Sequence, residues 1–440
     1  MKFRFGGIFM VLLFNLICFG LLCFYPDTDR MRLLSAMGII CGIILVTYIF
    51  IYAFKLGDPY PFLIVAMLSS LSIIILYSLG IQEAAVSGKT EMFMLAQRQV
   101  VWFGAGIVVF FICYGIYRLI KFWDRMLTFY VVMTLVLFGV SLIFAKDNVE
   151  DGVKNWINIS GVSIQPSEFI KLCFCFAMAV IFSKKHKFDS VSSRLWRVGR
   201  EDIYSTAFVY CCMALFLVQS ELGTAMLFFM VYLAMMVAYD VTLIVPLGNI
   251  ALVALGVAFI FKFGDRIGPL SRALDRFEIW LDPEIYNFAP ELNKPAGTEH
   301  MYYSLRAICS GDFFGVGLGR SGIYYLAAIE SDLVFSAICY EMGIFMGFAI
   351  IMMYFILAYR GYKIAMEVSD DFHRALAITI VTSIALQAFI IIGGVTKFIP
   401  LTGITMPFVS AGGSSMVVSF AMLGILTAIS HKKEKRVFNS

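Results

Sequence analysis

The residues best suited to chemistry stand where apolar runs meet polar segments. Asp332 closes the long polar stretch 262–331 and precedes the run Leu333-Val-Phe-Ser-Ala-Ile-Cys. A loop that long is usually functional or disordered, and this one is rich in glycine, aromatics and arginine. Glycine allows close backbone approach, and arginine is a natural partner of phosphate oxygens. A carboxylate at the mouth of a membrane helix, beside such a loop, is placed to act on a substrate carried by a lipid. Asp332 alone also reads as a helix N-cap. Glu341, further along the same run, needs a partner or a proton if it is buried in the span.

Three other places combine polar groups with apolar flanks. In Gln165-Pro166-Ser167-Glu168-Phe-Ile-Lys171, proline suits the first helical turn, and Glu168 and Lys171 fall on one face where they can pair. The same spacing is that of a capped helix start with a neutralising pair. Lys154 and Trp156 lie in the loop just before it. Gln219-Ser220-Glu221-Leu222-Gly223-Thr224 puts an acid at a helix N-terminus, which the dipole favours; a tight polar turn reads the same way. Pro400-Leu-Thr402-Gly403-Ile-Thr405-Met-Pro407-Phe-Val-Ser410-Ala-Gly412-Gly413-Ser414-Ser415 implies irregular backbone, tolerated at membrane depth only when buried in protein or lining a cavity. Close packing through small residues is the alternative.

The elements that position these groups are hydrophobic spans. The chain is 61% hydrophobic and 15% charged, far from the composition of a soluble domain. About twelve segments reach the length of roughly 20 apolar residues that a bilayer helix requires: 5–25, 33–54, 61–80, 99–119, 126–145, 166–183, 203–220, 222–240, 242–262, 333–359, 375–395 and 407–430. An all-α polytopic membrane protein is expected, with the segment 262–332 as its one large loop. Within that loop, Arg272 to Pro283 is amphipathic, with Leu274, Phe277, Ile279, Trp280 and Leu281 able to lie on a membrane surface. The first span lacks an A-x-A-like cleavage site before Pro26 and is read as a helix, not a signal peptide.

Alternating the sides of the spans collects most Lys and Arg on the side of the N-terminus, including Arg118, Lys121, Lys184, Lys185, Arg360 and Arg374. By the positive-inside rule both termini are cytoplasmic, and the loop 262–332 is extracytoplasmic. The run from Lys184 to Arg200 reads as an anchor at anionic headgroups, not a nucleic-acid site. Nine of the ten cysteines fall in spans and only Cys309 in an outer loop, so no disulfide framework is expected. Neither a Walker A loop nor a dinucleotide fingerprint is present.

Taken in order, these motifs resemble the SEDS family (shape, elongation, division and sporulation), peptidoglycan polymerases of the RodA/FtsW/SpoVE type. The resemblance runs from about Pro61 to His431. It rests on Gln165-Pro-Ser-Glu168 with Lys171, Arg276 with Leu281-Asp282-Pro283, and Ser310-Gly311…Gly315…Gly317-Leu-Gly319. It also rests on Ser331-Asp332-Leu-Val-Phe with Glu341-Met-Gly343, and on Pro400 to Ser414. The chain departs from the family pattern at Glu221, where an aspartate is usual, at Ala411 for tyrosine and at Tyr303 for glutamine.

The resemblance implies a ten-helix core over 61–431, preceded by two extra N-terminal transmembrane helices within 1–60 and followed by a basic cytoplasmic tail at 432–440. It implies a glycosyltransferase that polymerises lipid II at the outer face of the bacterial cytoplasmic membrane. A divalent cation, Mg2+ or Mn2+, would stimulate it, and no organic cofactor would be used. Asp332 would be the catalytic residue, as general base or orienter for the acceptor sugar 4-hydroxyl attacking the donor anomeric carbon. Undecaprenyl pyrophosphate would leave. Glu168, Lys171, Arg276, Glu221, Lys154 and Ser410 would contact substrate, and a class B penicillin-binding protein would be the transpeptidase partner. A lipid II flippase is the alternative function, and a non-catalytic scaffold a third.

Overall fold

A computed structural model describes residues 5–25, 29–145, 156–159, 162–186, 200–239, 244–266, 268–282, 298–320 and 322–431. Among the described residues the architecture is helical, with one small hairpin of two antiparallel strands, Ile157–Ile159 and Val162–Ile164. In chain order the helices are α1 (Phe5–Leu22), α2 (Arg30–Ala53), α3 (Tyr60–Ser87), α4 (Glu91–Leu119), α5 (Leu127–Phe144), α6 (Pro166–His186) and α7 (Arg200–Val218). They continue with α8 (Leu222–Ala238), α9 (Ile244–Phe263), α10 (Gly268–Leu281), α11 (Thr298–Ser310), α12 (Val334–Glu367), α13 (Asp371–Val395) and α14 (Gly413–His431). Each expected span therefore coincides with a helix. Among the described residues, ten helices are long and apolar enough to cross a membrane, while Gly6–Leu22 and Leu222–Ala238 are shorter apolar helices.

Helices α3, α6, α13 and α14 form the centre, and α2, α4, α5, α7, α9 and α12 leave most of their surface outward. Composition explains the division. The central helices interleave large aliphatics with hydroxyls and small residues, such as Ser69, Ser70, Ser72 and Ser78 on α3 and Thr379, Thr382 and Ser383 on α13, all buried. Small residues let backbones approach within a membrane, where no hydrophobic force drives helices together. The outer helices expose Leu, Ile, Val and Phe, as at Leu247, Leu252, Leu255 and Phe259 on α9.

Several helix ends differ from expectation for local reasons. α3 extends to Ser87 and α4 begins at Glu91, because the buried Glu83 carboxylate accepts the Met92 backbone N–H at 2.8 Å and satisfies the start of α4. α14 begins at Gly413, not 407, since Phe408 takes a left-handed φ of 65° that cannot continue a helix.

The expected loop is folded. It holds a 3-10 turn at Gly264–Arg266, then α10, and, beyond residues 283–297, which lie outside the described set, α11. The amphipathic segment is α10, but its apolar face largely meets protein. Leu274 is buried with Ile260 of α9, Ile279 is buried with Met301 of α11, and the Phe277 ring lies 5.5 Å from that of Phe261. Leu281 stays exposed.

The glycine run after α11 is a clamp. Val316 and Gly317 donate backbone N–H groups to the carbonyls of Tyr340 and Glu341, both at 2.9 Å, and Ile344 donates to Asp312 O at 3.0 Å. α12 breaks there, at Gly343, with φ 80° and ψ 167°. A Cβ on Gly315 would stand 2.2 Å from Glu341 O, so only glycine permits this approach. The close backbone approach expected for these glycines is thus made to a helix of the same chain.

Candidate active site

One face of the bundle gathers the flagged segments around the irregular backbone from Thr396 to Gly412. Lys397 and Phe408 there hold positive φ of 60° and 65°, and Gly403 holds 65°. Non-glycine residues seldom adopt such values, and they persist only where surroundings impose them. The impositions are visible. The Ser410 hydroxyl donates to Ser331 O at 2.6 Å and accepts from Met406 N at 2.8 Å. Ala411 N donates to Glu330 O at 2.9 Å, and Gln99 Nε2 donates to Ser410 O at 3.2 Å. Arg276 Nη1, on α10, donates to Thr402 O at 2.9 Å. Trp280 Nε1 donates to Lys397 O at 3.1 Å.

This scaffold places Asp332 at a half-buried mouth, just before α12. The N-cap position of α12 is Leu333, which makes no side-chain cap hydrogen bond, so Asp332 does not occupy the cap position that its sequence allowed. A Cβ built on Gly403 would stand 3.3 Å from Asp332 Oδ2 and 3.6 Å from Arg276 Nη2. The missing side chain of an exposed glycine leaves a space bounded by a carboxylate oxygen and a guanidinium nitrogen. Such a space suits an anionic group held beside a hydroxyl that must lose its proton.

Behind the mouth lies a second, buried polar group. Lys171 Nζ pairs with Glu168 Oε2 at 2.5 Å and donates to Gln387 Oε1 at 2.6 Å. Their side chains are 2% and 7% exposed for Lys171 and Glu168, so the pair is not the exposed neutralising pair of an ordinary helix start. Thr405 Oγ1 lies 3.2 Å from Glu168 Oε1 and 2.8 Å from Ser415 Oγ, while Gln387 Nε2 donates to Thr405 O at 2.8 Å. A charge in hydrocarbon is expensive, and here each ion is paired and hydrogen-bonded as a buried pair requires.

Glu221, in the connector between α7 and α8, accepts from Thr224 Oγ1 at 2.9 Å and from Gln165 Nε2 at 3.4 Å. It stands at the N-cap of α8 but makes no side-chain cap hydrogen bond. Burial raises its carboxyl from 4.5 to about 7, against hydrogen bonds that lower it. Gly223 allows this connector to press on the irregular segment, since a Cβ there would stand 2.7 Å from Thr402 Cβ.

The structure thus brings Glu168, Lys171, Glu221, Arg276, Ser410 and Asp332 around one backbone segment, in two layers. Lys154 and Pro283 lie outside the described residues. Ser410 is buried and its hydroxyl is engaged by two backbone groups, which makes it an anchor of Ser331, next to Asp332. Glu341, 1% exposed, receives the Ser78 hydroxyl on Oε2. Sequence reading missed Gln387 and Ser78 and carried Gln165 only as part of its motif. Gln387 carried a signal, as the only amide within the apolar span 375–395; Ser78 is one more small hydroxyl in an apolar span and stands out only in three dimensions.

Among the described residues no group of three or more His, Cys, Asp or Glu could hold a metal ion. Asp332 is instead a single carboxylate at an open mouth. That arrangement fits a Mg2+-type ion, which is commonly held by one or two carboxylates together with substrate phosphates.

A helical membrane protein with a carboxylate and a guanidinium at the mouth of a broken helix belongs to the class of integral membrane proteins that work on substrates at the bilayer surface. A family model described as a cell cycle protein, FtsW/RodA/SpoVE, matches residues 59–435, and the chain belongs to that family. Stage V sporulation protein E of Bacillus subtilis is 30% identical over 349 residues, covering 77% of this chain and 88% of that protein. Peptidoglycan glycosyltransferase RodA of Mycobacterium tuberculosis is 30% identical over 386 residues, 85% of this chain and 78% of its own. Probable peptidoglycan glycosyltransferase FtsW of Bacillus subtilis is 33% identical over 307 residues, 68% and 72% respectively. Among solved structures, a chain of a peptidoglycan synthase complex that coordinates polymerization and crosslinking superposes with a TM-score of 0.65 at 18% identity. It covers 86% of this chain and 99% of that one. The Thermus thermophilus rod shape determining protein RodA gives 0.57 at 18%, covering 86% and 98%. Both share the fold.

Proposed function

We propose that the chain polymerises lipid II into glycan strands at the outer face of the bacterial cytoplasmic membrane. The chain is a peptidoglycan glycosyltransferase of its family, as its relatives named RodA and FtsW are, and serves elongation, division or sporulation. The observation that carries the reading is the mouth at Gly403, where Asp332 Oδ2 and Arg276 Nη2 face one small space. Asp332 accepts, or orients for removal, the proton of the acceptor sugar 4-hydroxyl as its oxygen attacks the donor anomeric carbon. The carbon–oxygen bond to undecaprenyl pyrophosphate breaks, and the guanidinium of Arg276 stabilises charge on the departing phosphates. An aspartate is a weak base at its ordinary pKa, so the gain must come from positioning a hydroxyl already in contact.

Glu168, Lys171 and Glu221 support the segment that forms the mouth, and Lys154 contributes a basic group in the loop before α6. Mg2+ or Mn2+ would be held by Asp332 and substrate pyrophosphate oxygens, where it would neutralise leaving-group charge. Charge asymmetry of the connectors supports cytoplasmic termini, with the mouth outside. A class B penicillin-binding protein is the partner that would crosslink the product.

The test is polymerisation of labelled lipid II by the purified chain with its cognate transpeptidase and a divalent cation. Strands should form with the wild type and be lost with Asp332→Ala. Undiminished strands in the variant would remove Asp332 from the reaction. Absence of strands under every condition, with lipid II crossing vesicle membranes, would favour a flippase.

A further inference from the structure

The hairpin α1–α2 precedes the residues that the family model matches, and the polymerase reading gives it no role. It is seated firmly on the core. Asn15 Nδ2 of α1 donates to Ser70 Oγ of α3 at 3.0 Å. The Phe19 ring meets Tyr77 edge-on at 5.9 Å, and Phe19 and Leu22 are fully buried. Tyr25 follows directly, in the connector toward α2, on the same face as Asp332.

Tyr25 reaches into the glycine clamp. Its hydroxyl donates to Leu318 O at 2.6 Å. Its ring fills the space over Gly319, where a Cβ would stand 2.5 Å from Tyr25 Cε2. The Gly319 N–H donates to Ser78 Oγ at 2.6 Å, and the Ser78 hydroxyl donates to Glu341 Oε2. Gly317 N donates to Glu341 O. Glu341 lies in the first piece of α12, before its break at Gly343, and that piece starts at Val334, immediately beyond Asp332 and Leu333.

We propose that the hairpin braces the glycine clamp and thereby sets the position of Asp332, with Tyr25 as the positioning residue. The proposal rests on the polymerase reading for its functional consequence. The path is continuous: hairpin, Leu318–Gly319, Ser78, Glu341, the first piece of α12, Asp332. A simple packing contact would alter stability and leave the chemical step untouched. A brace would alter the chemical step, because a displacement of about 1 Å at a reacting group can lower turnover by as much as 100-fold.

The test uses the full chain with its partner transpeptidase, labelled lipid II and Mg2+, together with thermal melts and hydrogen–deuterium exchange. Tyr25→Phe keeps the ring and removes the donor, and Tyr25→Ala removes both. Expected are kcat values lower by about five-fold and more than twenty-fold respectively, with KM within about twofold of wild type, since only a transition-state interaction is lost. Exchange should rise over 315–333 and stay unchanged in α13. Should Tyr25→Ala fail to fold, Tyr25→Phe decides alone. Wild-type kcat in Tyr25→Phe and in any folded Tyr25→Ala overturns the proposal, even if exchange rises, and leaves Tyr25 a packing contact. If the wild type makes no strands at all, the polymerase reading has failed, and exchange then decides: a rise confined to 315–333 retains the brace, and no rise removes it.

Discussion

The couple Glu168–Lys171 and the couple Asp332–Arg276 flank the same irregular backbone and share the same charges, but they live in different solvents. The first is buried, with Gln387 accepting from Lys171 and Thr405 donating to Glu168, while Ser415 hydrogen-bonds Thr405 behind them. The second sits half-buried at an open mouth, with Arg276 fastened to Thr402 O and both groups facing the space over Gly403. The bonds of the buried pair tie α6 to α13 and to the segment 402–405 and fix one arrangement of the three. A half-buried carboxylate contributes less to folding, and Asp332 borders the space that a substrate would enter. Pairs of the same charge therefore separate into support and chemistry according to burial.

Five substitutions break or sharpen this contrast. Asp332→Ala should lower polymerisation by more than about 100-fold, in the range lost when positioned proton transfer is removed, with Tm within about 2 °C of wild type because no buried charge is orphaned. A labelled lipid II gel assay beside a melt checks both halves. Lys171→Met should do the reverse in order of cause: it leaves Glu168 buried and unpaired, destabilising by about 3–5 kcal/mol, so the folded yield falls before activity can be read. Adding Glu168→Gln should restore much of the melting temperature, which a purely catalytic role for Lys171 would not allow.

Glu221 offers a pH test. Its folded carboxyl is raised by burial to about 7 from 4.5, so the folded state binds the proton more tightly than the unfolded one. The contribution of Glu221 to stability is then fully present below about pH 4.5 and is lost as pH rises through about 7, by on the order of 3 kcal/mol in total. Glu221→Gln should flatten the dependence of Tm on pH between 5 and 8; an unchanged slope would assign it to other groups. The smallest effect is expected of Gly403→Ala. Its φ of 65° strains an alanine by about 1 kcal/mol, and the methyl intrudes on the mouth, so KM for lipid II should rise several-fold with kcat less affected. A change in kcat alone would mean that the mouth is not where substrate binds.

Much of the fold was legible because a bilayer imposes one rule on every span. Pro166 marked the start of α6, and the hydroxyl-rich stretch after Pro400 announced irregular backbone. The ends of α3 and α4 were not legible, since Glu83 closes a gap between two helices and looks, in sequence, like a charge that should end one. At the site, charged residues in spans gave Glu168 and Lys171 away, but their solvent did not show. Ser410 was flagged with its segment, yet its work on Ser331 is a contact between residues far apart in the chain. The glycine run was read as a site of close backbone approach, and the partner is α12 itself.

The break in α12 bears on the bilayer as well as on the loop. Over 34 residues an unbroken helix would be about 50 Å long, well beyond a hydrocarbon core of roughly 30 Å. Such a rod must tilt, and its tilt would follow the thickness of the surrounding lipid. With the break at Gly343, the long lower piece can lean as the membrane demands while the short upper piece stays fastened to the clamp. The geometry around Asp332 is thereby insulated from lipid composition, and turnover should vary little between thin and thick bilayers.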